Sequence, residues 1–317
     1  MGTDVPPAGA RGLDGFEPRA LRARASGPNG SGAMRGASKP YQIHTPAGPL
    51  ARYVEYLWSL PDAPSQGRGS ILPSGTLSLV VHLDEDERRI YDVDSPVCRR
   101  FSGAVVSGAH GRPFFAEGRE HTSAVGIHFR PGGAWPFFGV ALGELADRHV
   151  DLDALWGASA VELRDRLGSA TTSADRFRIL EAALLRRLER ARPGHDAVAV
   201  ALRALERGDT NVGAISDHVG LSRRRLIEVF TAQVGVTPKK FARLRRFQRV
   251  LAATRRVDAP RWSRVALASG YFDQAHLIRD FVEFCGVSPG EFARVRDLDA
   301  TNHHVRLPEW VRQRAST

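Results

Sequence analysis

From Tyr41 onward the apolar residues recur in two rhythms, and the change between them falls at Trp135. Before it, ILPSGTLSLVVHL at 71–83 reads as a turn feeding an alternating strand, and residues 97–108 and 121–130 (HTSAVGIHFR) predict further strands between Gly and Pro turns. LARYVEYLWSL at 50–60 is a short aromatic-rich segment carrying Tyr53, Tyr56 and Trp58. Residues 40–135 are therefore expected to be β-rich, a small barrel or sandwich, closed off by the break at Pro131-Gly132-Gly133. After Trp135 the period lengthens to that of helices. Leu142 and Leu145, then Leu152, Leu155 and Trp156, mark short helices, and Val161, Leu163 and Leu167 mark another. Residues 175–191 place Phe177, Leu180, Leu184, Leu185 and Leu188 on one helical stripe, which Pro193-Gly194 ends.

Two units of one design follow. LIEVFTAQVGVTPKKFARLR at 226–245 and LIRDFVEFCGVSPGEFARVR at 277–296 agree at 10 of 20 positions at a constant offset of 51. Chance does not readily produce that, so one structural unit occurs twice. In the first copy Val212, Ile215 and Val219 share a helix face, Gly220 suits the left-handed conformation in which a helix ends cheaply, and Ser222 caps a helix running to about Val234. In the second, Trp262–Ser269 is the first helix, Gly270 ends it and Asp273 caps the next. Leu226 with Phe230, and Leu277 with Phe281, are matching buried pairs four residues apart. Thr237-Pro238 and Ser288-Pro289 then start new helices, because a hydroxyl cap followed by Pro at the first turn is a helix start. Each copy has the parts of a helix-turn-helix.

Charge narrows the partners. The chain carries +10 overall. Between His195 and Arg296 there are 18 Lys plus Arg against 10 Asp plus Glu, a net of +8, so about a third of the chain holds most of the excess. Such a surface suits a polyanion, since neutralising phosphates releases condensed counterions. Residues 1–38, rich in Gly, Ala, Arg, Pro and Ser, read as a disordered leader, with Met34 a second candidate start. No run of apolar residues is long enough to span a membrane, and a cytoplasmic protein is expected. Cys98 and Cys285 form no metal or CxxC spacing and read as buried or half-buried thiols.

Segment 200–296 resembles the DNA-binding domain of AraC/XylS-type transcription regulators, through AISDHVGLSRRRLIEVFTAQVGVTPKKF and VALASGYFDQAHLIRDFVEFCGVSPGEF. The resemblance implies two recognition helices held apart by a rigid central helix, here about Pro238–Thr254, entering successive major-groove segments about one turn, ~34 Å, apart. It places Arg223, Arg224 and Ile227, and in the second helix Gln274, His276 and Arg279, at base-facing positions. Ser222, Arg225, Glu228, Lys239, Lys240 and Asp273 complete the expected DNA-contacting set. Glu228 stands where such proteins often carry Arg, either accepting from a cytosine amino group or touching no base.

YVEYLW, ILPSGTLSLVVHL, GIHFRPGGAWPFFG and DLDALWG resemble an N-terminal domain found joined to such DNA-binding domains, with Ser74 where the familiar form has Asp. The expected architecture is thus α+β in two domains. A leader (1–38) precedes a regulatory or sensor domain (39–192; β-rich to 135, helical from 136), an all-α domain of two helix-turn-helix units joined by a central helix (195–297), and a C-terminal tail (298–317). Double-stranded DNA is the expected partner; a small-molecule effector, RNA polymerase and a second copy of the chain are further candidates. No cofactor, metal or enzymatic activity is expected. The alternative is a metal-dependent β-barrel enzyme fused to a DNA-binding tail, with His44, His82, His110, His121, His128 and Glu117 as ligands, although no HxH pair occurs. A third reading is a nucleoid or RNA-binding protein. Tyr53, Tyr56, Trp58, Trp135, Phe137 and Phe138 suit either a ligand pocket or plain core, Arg130–Gly133 either an anion pocket or a turn, and the 175–191 helix either dimerisation or packing on its own domain.

Overall fold

The computed structural model describes residues 42–64, 69–84, 86–92, 97–116, 121–255, 257, 259–295, 297–298 and 304–306. The expected leader (1–38), Glu117 and most of the expected tail lie outside these. The strands are β1 (Gln42–His44), β2 (Val54–Pro64), β3 (Gly69–Ile71), β4 (Ser78–His82), β5 (Glu87–Asp92), β6 (Cys98–Ser102), β7 (Ala104–Ser107), β8 (Phe114–Ala116), β9 (His121–Phe129), β10 (His149–Asp151), β11 (Asp297–Leu298) and β12 (His304–Arg306). They form two antiparallel six-stranded sheets, ordered β1-β2-β9-β4-β7-β10 and β11-β12-β3-β8-β5-β6. Neither closes on itself, so of the two expected forms the barrel is replaced by a pair of open sheets. A small cluster of Ile90, Val105 and Phe114, with Ile71 and Phe101, bridges them.

Alternation decides the faces. Val125, Ile127 and Phe129 of β9 and Leu79 and Val81 of β4 point into the main core. Gly126, one residue out of step, lies under Trp58: an added Cβ would stand 2.4 Å from the indole ring, so only glycine admits it.

Helices cover the outer side of the first sheet: α1 (Trp135–Phe138), α2 (Leu152–Trp156), α3 (Ala158–Ser169) and α4 (Ser173–Leu188). Thr172 caps α4 by accepting from the Asp175 N–H at 3.1 Å. Its stripe of Phe177, Leu180 and Leu184 is buried in the protein's own core, with Leu185 38% exposed. Packing on its own domain, the second of the two expected roles, accounts for most of that stripe.

Seven further helices follow: α5 (Asp196–Arg207), α6 (Val212–His218), α7 (Arg223–Val234), α8 (Pro238–Thr254), α9 (Trp262–Ala268), α10 (Gln274–Cys285) and α11 (Pro289–Val295). The change of architecture at Pro193-Gly194 is not a gap in packing. One hydrophobic core runs from Leu50 to Ala242, taking in Leu226, Phe230 and Phe241. A second gathers Leu244, Phe247, Val250 and Leu251 with Leu277, Phe281 and Phe292, and also Leu72 from the β region. Helix α8 therefore has its first turns in one core and the remainder in the other. The expected tail contributes a strand as well: β12 pairs with β3.

Candidate nucleic-acid interface

The same local devices cut both recognition helices from the chain. Ser222 Oγ accepts from the Arg225 N–H at 3.2 Å, and Asp273 Oδ1 from the His276 N–H at 2.7 Å. Each satisfies a donor that a helix start leaves bare. Gly220 (φ +68°) and Gly270 (φ +86°) sit in the left-handed region at the preceding turns, which a side chain would disfavour. Leu226 and Phe230, and Leu277 and Phe281, are buried, which turns the opposite sides outward.

Ten of the twelve expected contact residues belong to α7, α10 or their caps and lie on that outward side or its margin, while Lys239 and Lys240 stand in the first turn of α8. Ser222, Arg223, Arg224, Arg225, Glu228, Lys239, Asp273, Gln274 and Arg279 are exposed, and Ile227, Lys240 and His276 are half-buried. Their partners were not all anticipated. Glu228 accepts from Arg224 Nε at 2.9 Å and faces Arg225 Nη1 at 3.5 Å. The Arg224 hydrogen bond leads the effects that hold its carboxyl below the ordinary range. The spacing of 224, 225 and 228 carried that signal, because residues three and four apart are neighbours on a helix.

The basic residues of α8 divide by structural duty. The Arg243 guanidinium forks onto α10, donating to Asp280 Oδ1 at 2.7 and 3.1 Å and to Glu283 Oε1 at 3.1 Å. Asp280 is buried, and Arg246 lies 3.8 Å from its other oxygen while covering the Tyr271 ring at 5.2 Å. Arg249 donates to the Glu206 carbonyl at 2.6 Å. Lys240 Nζ donates to Asp147 Oδ2 at 2.9 Å. Burial works against the Asp147 charge, yet the Gly111 N–H and Lys240 outweigh it and hold its pKa down. Helical spacing shows which faces such side chains occupy, not which acids from other segments meet them.

In the β region, four of the six candidate pocket aromatics belong to the core or its edge: Phe137 and Phe138 are buried, and Tyr53 and Trp135 pack against them. Tyr56 and Trp58 line a cavity together with His110, Thr76 and His128. Arg130 donates to the Ala51 carbonyl at 2.9 Å, and Gly133 packs on the Tyr53 carbonyl, so this segment is a turn. His82, His110 and His128 are buried, His110 stacked on His149 with ring centroids 4.4 Å apart, and His44 pairs with Glu181 at 3.0 Å. Among the described residues, no three His, Cys, Asp or Glu side chains gather to hold a metal. Cys98 is half-buried and Cys285 buried, both free thiols.

Two capped helix-turn-helix units on one spine, with polar outer faces, define a DNA-binding regulator, and residues 215–294 match the family described as a helix-turn-helix domain. That match follows a segment, residues 42–151, matching a family described as a domain of unknown function, DUF6597. Solved structures similar to the chain include ToxT from Vibrio cholerae, at 10% identity over 81% of this chain and 98% of that one, with a TM-score of 0.41. Another is ToxT from Vibrio cholerae bound to an unsaturated fatty acid, at 10% identity, 82% and 97% coverage and TM-score 0.42. The AraC-like transcriptional activator CuxR aligns at 15% identity over 67% of this chain and 86% of its own, with a TM-score of 0.26. No curated protein matches the sequence. Among the described residues, no helix is long and apolar enough to cross a membrane.

Proposed function

We propose that the chain regulates transcription by binding a specific DNA sequence with α7 and α10, in successive major-groove segments, while the N-terminal domain modulates the fit. The observation carrying this is the pair of capped helices, related by an offset of 51, on opposite halves of α8. Because α8 is embedded in two cores, the helices are held at a set separation before DNA arrives, and little ordering entropy is lost on binding. Base reading falls to Arg223, Arg224 and Ile227 on α7 and to Gln274, His276 and Arg279 on α10. Ser222, Arg225, Lys239 and Lys240 flank them toward the phosphates, and Asp273 borders the surface as the cap of α10. Glu228, held by two arginines, restrains those side chains rather than touching a base. A small effector, RNA polymerase and a second copy of the chain are the further partners we assign, in the cytoplasm, and the chain acts as a binder rather than a catalyst.

Selection of bound duplexes from random DNA tests this directly. Two short conserved blocks, centred about 10 base pairs apart, are expected. Equal affinity for selected and random DNA would overturn the reading in favour of a nonspecific polyanion binder.

A further inference from the structure

Between the two sheets lies a cavity of about 50 Å³, walled by β2, β4 and β9 on one side, β3 and β8 on the other, and the 72–76 loop. Its polar groups converge. Ser74 Oγ lies 2.7 Å from Thr76 Oγ1, which lies 3.1 Å from His128 Nε2. His110 also lines it, is only 8% exposed, and its Nε2 has no hydrogen-bond partner among the described residues. A buried ring nitrogen left bare costs about 1–3 kcal/mol, which a bound guest with a matching group recovers. Tyr56, stacked on His128 with ring centroids 5.0 Å apart, and Trp58 and Phe114 supply flat apolar surface. No Asp, Glu, Lys or Arg is among the lining residues, and burial pushes the His110 imidazole down to about 4, leaving it neutral. Glu55 Oε2 lies 3.5 Å from His128 Nε2, but its side chain is 48% exposed and outside the lining, so a charged guest would find no buried partner and would pay a large desolvation cost.

The same walls touch the spine of the DNA-binding domain. The Pro73 carbonyl accepts from Gln248 Nε2 of α8 at 2.6 Å. Gly75 approaches α8 so closely that an added Cβ would meet Leu244 Cδ1 at 3.3 Å, and Leu72 is part of the second core. Beside His110, Gly111 donates its N–H to Asp147 at 2.6 Å, and Asp147 holds Lys240 of α8. One cavity wall is thus bonded directly to α8, and the segment next to His110 is linked to it through Asp147, on either side of Leu244.

We infer that this cavity binds a small, uncharged molecule, hydrogen-bonded by His110 and Thr76 and stacked on the aromatic wall, and that α8 transmits its presence to the two recognition helices. This deepens the proposed function and rests on it. The site admits few heavy atoms, since one water already needs about 10–15 Å³ of such space.

The full-length protein, labelled at its histidine ring nitrogens, is titrated with acetamide and pyrazole, and with acetate and acetamidinium as charged isosteres. Saturable shifts of the His110 and His128 resonances are expected from the neutral probes alone. His110→Phe and Thr76→Val should each weaken binding about tenfold, the value of one lost hydrogen bond in a buried site. Saturating probe should change affinity for the selected duplex by about fivefold in the wild type and not in Gln248→Ala. The inference is overturned if neutral probes give no saturable shift, if the charged isosteres bind equally well, or if the DNA response survives Gln248→Ala. Should His110→Phe fail to fold, Thr76→Val and Ser74→Ala carry the test. Failure of the regulator reading shows elsewhere, as equal affinity of the probe-free protein for selected and random DNA.

Discussion

Replacing Arg243 with Met isolates what holds the second recognition helix to the spine. The substitution keeps an unbranched apolar stem and removes the fork that reaches Asp280 and Glu283. The Glu283 arm is half in water, with 45% of that side chain exposed, so its loss should cost at most about 1 kcal/mol. The Asp280 arm is different, because only 4% of that side chain is exposed. Breaking a buried pair by removing one partner typically costs about 3–5 kcal/mol. Arg246 lowers that here, because it stays 3.8 Å from the second oxygen. About 2–4 kcal/mol is therefore expected. Urea unfolding followed by circular dichroism at pH 7 measures it. A loss below about 0.5 kcal/mol refutes the clamp.

Arg279→Ala should relax preference at one base pair of the second block by about 1–3 kcal/mol, and an unchanged preference in binding-site selection removes that side chain from base reading. Glu228→Gln frees Arg224 and Arg225, so binding to random DNA should tighten and its salt dependence steepen by about one phosphate's worth; an unchanged slope in anisotropy titrations counts against it. Asp147→Asn releases Lys240, and the same titrations should show a comparable gain for all sequences alike. His82, His110 and His149 are buried with imidazole pKa values pushed by burial to about 3, about 4 and about 2. The unfolded chain protonates them near 6.5, so stability should hold above that pH and fall by up to about 1.4 kcal/mol per unit and per group below it. His110→Phe should flatten that acid limb, and an unaltered limb in unfolding measured against pH shows the group is not responsible.

Much of the DNA-binding half was legible from the chain, because its determinants are local. Gly220, Ser222, Gly270 and Asp273 act within a turn of their own positions, and the expected span of the central helix, Pro238–Thr254, coincides with α8. The Leu226–Phe230 and Leu277–Phe281 pairs told which faces turn inward, and so which turn out, since helical period alone settles that. The β half was legible only as strands. Whether sheets close depends on hydrogen bonds between segments far apart in sequence, such as β4 with β9 or β3 with β12, which no local rhythm records. The same holds for charge. Composition counted the cations of α8, but tertiary structure decided that Arg243, Arg246, Arg249 and Lys240 meet Asp280, Tyr271, Glu206 and Asp147. It also placed the 72–76 loop against α8, joining a cavity in one half to the spine of the other. Sequence determines a helix where each residue's partners lie three or four positions away; a clamp or a cavity needs partners tens of residues distant, and only packing brings those together.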